Sequence, residues 1–221
     1  PLLLSVRSGA AISMPGIMST IHNVGANEEL VAEYVANHPE AKYFAWDNYR
    51  RFLQSWGMGN GMEREDFQAL MDEHKQRHNV LYKRDFSPEE MHQLALNYQQ
   101  AVRKRGFGMP EDPWLQLIGA VDMVLDSWNN PKAQEYRHLM GVSDDWGTAV
   151  IVQTMVFGNL STQSGSGVLF TAHPYRKVRR VARWGDYATS GPGEDIGSGL
   201  VASSPNSVAP AESAGRHEKR S

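Results

Sequence analysis

The sequence predicts an α+β fold, because helical and strand-like segments occupy separate parts of the chain. A short apolar strand is expected at Leu2–Arg7, and a block with helical periodicity follows over about residues 27–140. Beyond Thr148 the chain carries short runs rich in β-branched residues, which are typical of strands. We therefore expect a helical lobe together with a strand-rich region.

The helical block carries recognisable helix starts. Asn27 is suited to cap a helix over Glu28–Asn37, and Asp112-Pro113 opens a later helix. Ser87-Pro88-Glu89-Glu90 is a capping box with proline at the first helical position. For the helix that begins at Pro113, periodicity predicts a buried apolar stripe made of Trp114, Leu117, Val121, Leu125 and Trp128.

Three strand candidates follow the helices, at Thr148–Val156, Gly167–Thr171 and Val178–Trp184. From residue 200 onward the chain is rich in Ser, Ala and Pro and has no aromatic residue. Such a composition is typical of segments that bury too little apolar surface to fold. The sequence thus predicts one domain over residues 1–199 and a flexible low-complexity tail over residues 200–221.

The composition of the 221 residues excludes several classes of protein. Hydrophobic residues make up 41%, enough for a packed core, and no cysteine is present for a disulfide or a Cys-ligated zinc site. The absence of cysteine fits a reducing cytosol, so we expect a cytoplasmic protein. A net charge of -3 gives no electrostatic reason to expect a nucleic acid or a membrane as partner. The first residue is not Met, and we expect an internal piece of a longer protein.

The segment Ser5–Gly16 is the first that could carry chemistry. A strand brings Arg7 to its end, and a loop of small residues follows, whose N–H groups can approach a ligand closely. A guanidinium together with main-chain N–H groups suits a polyphosphate. An ordinary strand-to-loop turn with a surface arginine would have the same composition, so both interpretations stay open at this point.

Two further segments have the residue types of a nucleotide site. An adenine needs an apolar slot with a donor and an acceptor at a strand edge, and Val150–Val156 offers this with the amide of Gln153. A plain buried strand would have the same pattern. Asp186 and the run Gly193-Glu194-Asp195 carry carboxylates of the kind that hold Mg²⁺ between phosphates, although acidic residues beside glycine also form turns.

Two other groups of residues carry less weight. The basic residues between Arg176 and Arg183 lack the interleaved aromatics of a nucleic-acid site and are interpreted as a solvated strand face. His74 and His78 lie at i, i+4 without a third ligand near them in the sequence. We therefore expect these two histidines to be surface residues.

The motif Ser-Val-Arg-Ser-Gly-Ala-Ala-x-Ser-Met-Pro-Gly over residues 5–16 is very similar to the signature of the nucleotide domain in the pyruvate, phosphate dikinase family. The resemblance continues at Asp126-Ser127-Trp128, at Gly147-Thr148-Ala149-Val150 and at Met155-Val156-Phe157-Gly158-Asn159. It runs in order to about residue 199. The resemblance implies a fragment of an ATP-grasp-like nucleotide-binding domain, with the helical segment at about 27–140 inserted into it.

The resemblance also implies ATP and Mg²⁺ as cofactors of a parent phosphotransferase. In the parent, ATP, phosphate and pyruvate would become AMP, pyrophosphate and phosphoenolpyruvate through a phosphohistidine on a separate domain. The expected partners are ATP, the phosphohistidine and pyruvate-binding domains of the parent, and a second copy in a homodimer formed through further domains. The implied site residues are Arg7 for phosphate and catalysis, Gln153, Met155 and Val156 for adenine, and Asp186 and Glu194 for the metal.

The chain departs from the family pattern at Ser190, where asparagine is expected, and at Pro192, where glutamine is expected. It contains neither a Gly-Gly-x-Thr-Ser-His phosphohistidine motif nor the family's Gly-Gly-Lys-Gly-Ala segment with its ATP-binding lysine. We therefore expect the isolated chain to be inactive. The alternative is a non-catalytic nucleotide-binding or interaction module from a truncated or decayed dikinase-like gene.

Overall fold

A computed structural model of the chain describes residues 2–12, 14, 16–161, 163–170, 183–189 and 204–208. These residues form helices and small antiparallel sheets, which confirms the predicted α+β class. The chain divides into two compact units, residues 1–155 and residues 156–221, each with a three-stranded sheet. The division falls after Met155, whereas the sequence predicts a domain end at residue 199.

The first unit starts in a sheet and returns to that sheet after its described helices. Strands β1 (Leu4–Ser8), β2 (Thr20–Val24) and β3 (Val150–Thr154) lie in the order β2-β1-β3, and both neighbours run antiparallel to β1. The helices are α1 (Glu28–Asn37), α2 (Lys42–Gly59), α3 (Arg64–His78), α4 (Pro88–Lys104), α5 (Pro113–Asp126) and α6 (Pro131–Met140). Short 3-10 turns lie at Pro39–Ala41, Lys83–Asp85 and Ser127–Asn129.

The predicted helix starts are confirmed. At α4 the Ser87 N–H donates to Glu90 Oε2 at 2.7 Å and the Glu90 N–H donates to Ser87 Oγ at 3.2 Å, which completes the capping box. Asn27 caps α1 by accepting from the N–H of Leu30 at 2.7 Å. Asp112 caps α5 in the same way, because its side chain accepts from the first N–H groups of that helix.

The core of the first unit lies where α2 and α5 pack against β1 and β2. Val6 and Ile21 project from these two strands and have no exposed surface, and Phe52 and Leu53 of α2 are equally buried. Each such side chain contributes about 1.5–3 kcal/mol by leaving water. None of the described helices combines the length and the apolar character that crossing a membrane requires.

The buried face of α5 was predicted wrongly, because the residues that are buried lie about one position before the predicted ones. Trp114 is 74% exposed and Leu125 is 42% exposed, whereas Ala120 and Val124 have no exposed surface. Of the predicted stripe, Trp128 is buried as expected, at 7% exposure. The helix is therefore turned so that much of its apolar surface faces outward.

A polar side chain explains this rotation of α5. Gln116 is 1% exposed; its Oε1 accepts from the N–H of Gly25 at 2.9 Å, and its Nε2 donates to the carbonyl of Ala26 at 3.0 Å. The same Nε2 lies 2.8 Å from the carbonyl of Pro110. Buried main-chain groups need such partners, so Gln116 takes a core position that periodicity assigns to an apolar residue.

The prediction that His74 is a surface residue is also wrong. Its side chain is 1% exposed, its Nε2 lies 2.8 Å from the carbonyl oxygen of Glu90, and its ring packs 5.1 Å from that of Phe86. His78, one turn later, is half-buried and its Nδ1 lies 2.8 Å from Oε1 of Glu90. Both histidines thus join α3 to the start of α4.

The second unit contains β4 (Gly165–Phe170), β5 (Arg183–Thr189) and β6 (Ser204–Val208), in the order β4-β5-β6 with antiparallel pairs. The strand predicted at 178–184 is described only from residue 183, and it runs on to residue 189. Residues 204–208, which fall within the tail predicted from residue 200, pair with β5. Ladder hydrogen bonds come from the main chain, so this pairing does not depend on large apolar side chains.

Candidate functional site

The pairing of β1 with β3 brings predicted phosphate and adenine residues onto one face of the sheet. Arg7 lies opposite Ile151, and Ser5 lies opposite Gln153. Side chains two residues apart in a strand project to the same face. Arg7 and Gln153 are therefore diagonal neighbours, within reach of each other's long side chains.

The Arg7 guanidinium makes this diagonal contact. Its Nη2 donates to Oε1 of Gln153 at 2.8 Å, at an exposed position of the sheet. The ion pairs found among the described residues, all within 4.0 Å, do not include Arg7. Arg7 thus presents an accessible positive charge whose described partner is a neutral amide.

Gly9 ties the loop after Arg7 to the start of β3. Its N–H donates to the carbonyl of Ala149 at 2.7 Å. A Cβ at Gly9 would lie 3.1 Å from both Cγ1 and Cδ1 of Ile151, closer than most side chains approach each other. A side chain at position 9 would therefore require the Ile151 side chain to shift by a few tenths of an ångström. Of the loop beyond it, Ser13 and Pro15 lie outside the described residues.

Strand β3 has an open edge in the described structure. The Met155 N–H donates to the Leu3 carbonyl at 2.9 Å, which continues the pairing with β1 past Thr154. Because the hydrogen bonds alternate along an antiparallel pair, the N–H and C=O groups of Val152 and Thr154 point away from β1. No further strand pairs with β3 among the residues that the structure describes.

The side chains of β3 are accessible too. Ile151 is 41% exposed and Val152 is 46% exposed, so the interpretation of this segment as a plain buried strand is wrong. Met155 is partly exposed, and Val156, the first residue of the second unit, is 92% exposed. The predicted adenine residues therefore belong to an accessible strand and its continuation.

The predicted metal ligands lie in the second unit. Asp186 is on the central strand β5, opposite Val168 of β4 and Pro205 of β6, and it is partly exposed. Its carboxylate is the hard oxygen donor that Mg²⁺ prefers, so the residue type fits. Glu194 lies outside the described residues, as do Ser190 and Pro192. Within the described ranges, no three His, Cys, Asp or Glu side chains come together in a way that could hold a metal ion.

Sequence reasoning identified Arg7 and Gln153 separately and missed their contact. The two residues are 146 positions apart, and nothing in either segment encodes the register between the strands. The sequence left open whether β3 is an edge strand or a buried strand, because a β-branched run is compatible with both. An open strand edge beside an accessible arginine offers main-chain hydrogen-bonding groups and a positive charge to a ligand.

Residues 1–211 match the family described as "Pyruvate phosphate dikinase, AMP/ATP-binding domain". The match covers most of the chain, and the chain belongs to this family. The resemblance seen in the sequence motifs is thereby confirmed.

Individual relatives agree with the family assignment. The chain is 41% identical to "Pyruvate, phosphate dikinase" of Rhizobium meliloti (strain 1021), over 90% of the chain and 22% of the relative. It is 39% identical to "Pyruvate, phosphate dikinase 1, chloroplastic" of Arabidopsis thaliana, over 90% of the chain and 21% of the relative. For "Pyruvate, phosphate dikinase" of Clostridium symbiosum the identity is 38%, over 90% of the chain and 23% of the relative. The chain thus spans less than a quarter of the length of these relatives.

Proposed function

We propose that this chain forms part of the ATP-binding site of a pyruvate, phosphate dikinase-type phosphotransferase, within an ATP-grasp-like domain. The observation that carries the proposal is the exposed Arg7 guanidinium, free of any described carboxylate, beside the open edge of β3. A guanidinium binds phosphate oxygens through paired N–H donors, and a strand edge supplies the donor and acceptor that an adenine needs. In this proposal Arg7 binds the phosphates and stabilises the charge of the transferred phosphoryl group.

We assign the adenine to the β3 edge, with Gln153, Met155 and Val156 around it. The outward main-chain groups of Thr154 support this assignment, because they offer one donor and one acceptor on the open side of the strand. The exposed apolar surface of Val156 supports it further, since a purine ring is bound mainly by apolar contact.

We assign the metal to Asp186 and Glu194. These carboxylates would hold a Mg²⁺ ion, which would supply positive charge to offset the phosphates of ATP. The accessible carboxylate of Asp186 supports the assignment by its chemistry alone. Because aspartate and glutamate hold Mg²⁺ only when ionised, a variant that replaces either carboxylate with an amide should bind ATP with less dependence on Mg²⁺.

The whole reaction is proposed for a longer protein. It would convert ATP, phosphate and pyruvate into AMP, pyrophosphate and phosphoenolpyruvate through a phosphohistidine on a further domain. The proposed partners are that domain, a pyruvate-binding domain and a second copy of the protein. Relatives of which the chain spans less than a quarter support the existence of further domains. A cytoplasmic location is proposed from the lack of cysteine, although the name of the Arabidopsis relative gives a chloroplast location. We propose that the isolated chain has no turnover.

Titration calorimetry on the chain tests the binding part of the proposal. We expect Mg-ATP to bind with a Kd weaker than about 1 μM, and Arg7→Ala to weaken that binding by about tenfold. Arg84→Ala is the matched control, because Arg84 is an arginine on the helical block with 80% of its side chain exposed. No saturable binding of Mg-ATP, or an equal Kd for the wild type and Arg7→Ala, would overturn the proposal.

A non-catalytic nucleotide-binding or interaction module remains the second candidate, and Ser190 and Pro192 favour it, because they replace polar side chains of the family pattern. The two candidates differ in phosphoryl transfer. With γ-labelled ATP, the longer protein should accumulate label on a histidine if the chain serves an enzyme. A protein that binds Mg-ATP but stays unlabelled would identify the module.

A further inference from the structure

We propose that Gln153 is a positioning residue for Arg7, which orients the guanidinium for phosphate without reducing its charge. This inference rests on the proposed role of Arg7 in phosphate binding. It assigns to the Gln153 side chain a task that differs from contacting the adenine. The starting observation is the 2.8 Å hydrogen bond from Arg7 Nη2 to Gln153 Oε1.

The register of the sheet makes this contact specific. Arg7 has Ile151 directly opposite, and the side chain of Ile151 reaches the space beside Gly9, as the 3.1 Å approach to a Cβ placed there shows. Gln153 lies two residues further along β3, opposite Ser5, and its flexible side chain carries the amide that Arg7 contacts. An extended arginine side chain otherwise keeps many rotamers, and ordering it costs conformational entropy. An acceptor that already binds the guanidinium removes part of that cost before the ligand arrives.

The chemistry of the acceptor matters as much as its place. An amide oxygen accepts one of the five N–H donors of the guanidinium and leaves four for phosphate oxygens. A carboxylate at the same distance would also hold Arg7, but its negative charge would offset the guanidinium and repel the phosphates. None of the ion pairs in the described part of the chain involves Arg7, so the whole positive charge is retained. A glutamine at position 153 therefore orients the Arg7 guanidinium and leaves its positive charge available to phosphate.

This role predicts a pattern across ligands. If Gln153 acts through Arg7, its replacement weakens ligands in proportion to their phosphate charge and leaves adenosine unaffected. If its amide contacts the adenine instead, all ligands with adenine lose affinity equally. Adenosine and Mg-ATP therefore separate the two roles with the same variants.

The test is a double-mutant cycle on the full chain, with Kd values for Mg-ATP and adenosine from calorimetry. We expect Gln153→Ala to weaken Mg-ATP about threefold and Gln153→Glu to weaken it more than tenfold, because the second change adds a charge. In the Arg7→Ala background, Gln153→Ala should have no further effect. Gln93→Ala, on the exposed face of α4, is the matched control, and thermal unfolding of each variant checks that the fold is intact.

The outcomes distinguish this inference from the proposed function. An unchanged Kd for Mg-ATP in Arg7→Ala would remove the role of Arg7 and with it the basis of both. A weakened Arg7→Ala variant combined with an additive effect of Gln153→Ala would overturn the positioning role alone. Equal losses for adenosine and Mg-ATP in Gln153→Ala would do the same, and so would a Gln153→Glu variant that binds Mg-ATP as well as Gln153→Ala does.

Discussion

The Asp47 carboxylate lies 2.8 Å from Nη2 of Arg50 inside the helical block, where both side chains are almost fully buried. The same carboxylate lies 3.0 Å from Nε of Arg51 and 3.1 Å from Nζ of Lys83. A single carboxylate on α2 thus pairs with three cations. Arg50 and Arg51 lie on the same helix, and Lys83 lies on the 3-10 turn before α4, so its ion pair joins the two elements. Removing one partner of a buried ion pair is costly, because the remaining charge keeps its desolvation penalty without its neutralising partner.

Replacing Asp47 should therefore destabilise the fold strongly. We expect Asp47→Asn to lower the free energy of unfolding by about 3–5 kcal/mol, measured by urea denaturation at neutral pH. Asp122→Asn, at an exposed position of α5, is the control and should change it by less than about 0.5 kcal/mol. A loss below about 1 kcal/mol for Asp47→Asn would mean that the cations find other compensation.

The ionisation of Asp47 should also appear in the response to acid. Burial acts to raise the pKa of Asp47, but the charges of Arg51, Lys83 and Arg50 outweigh burial and hold the pKa well below its usual range. In the unfolded chain this carboxyl titrates near pH 3.9, so its stabilising contribution is complete above about pH 5 and is lost progressively as the pH falls further. The gap in unfolding free energy between wild type and Asp47→Asn should thus be constant from about pH 7 to pH 5 and shrink below about pH 5. A gap that stays the same at about pH 3 would contradict this assignment.

His74 should make stability sensitive to mildly acidic pH. Burial lowers the pKa of His74, and its buried Nδ1 has no hydrogen-bond partner among the described residues. As the pH falls below about 6.5, the unfolded chain binds a proton that the folded chain resists, so stability decreases. His74→Gln, which keeps a donor for the Glu90 carbonyl, should flatten the decrease between about pH 7 and pH 5. Equal slopes for the wild type and His74→Gln would refute the prediction.

Two tryptophans should report the orientation of α5. Trp56 is 2% exposed and its Nε1 donates to the carbonyl of Gly108 at 3.0 Å, whereas Trp114 on α5 is 74% exposed. We expect Trp56→Ala to cost about 3–5 kcal/mol and Trp114→Ala less than about 0.5 kcal/mol in urea denaturation. Comparable costs would show that Trp114 is buried, as helical periodicity alone predicts.

Arg7 should matter most in the transition state of phosphoryl transfer. In the longer protein that we propose, Arg7→Ala should lower the rate of histidine phosphorylation on the order of 10³-fold, about 4 kcal/mol. Arg7→Lys keeps the charge but loses the planar fork, so it should not restore the rate. Single-turnover transfer from labelled ATP measures both variants, and rates within a few-fold of wild type would make Arg7 a structural residue.

The sequence specifies local features of this fold better than long-range ones. The caps at Ser87 and Asp112 were predictable, because a capping side chain bonds to the main chain within three residues. The buried face of α5 was not predictable, since the buried amide of Gln116 forms hydrogen bonds with main-chain groups about 90 residues away. The hydrogen bond between Arg7 and Gln153 depends likewise on a strand register that no local pattern encodes.

The open edge of β3 has a consequence for the chain in concentrated solution. Ile151 and Val152 stand on a strand whose outer main-chain groups pair with no other described strand. Such an edge is a template on which a second chain can add a strand of its own, and successive additions lead to aggregates. The surface that we propose for adenine is therefore also where copies of the isolated chain would associate by strand pairing. A nucleotide bound there would cover the open main-chain groups of β3 and so oppose self-assembly.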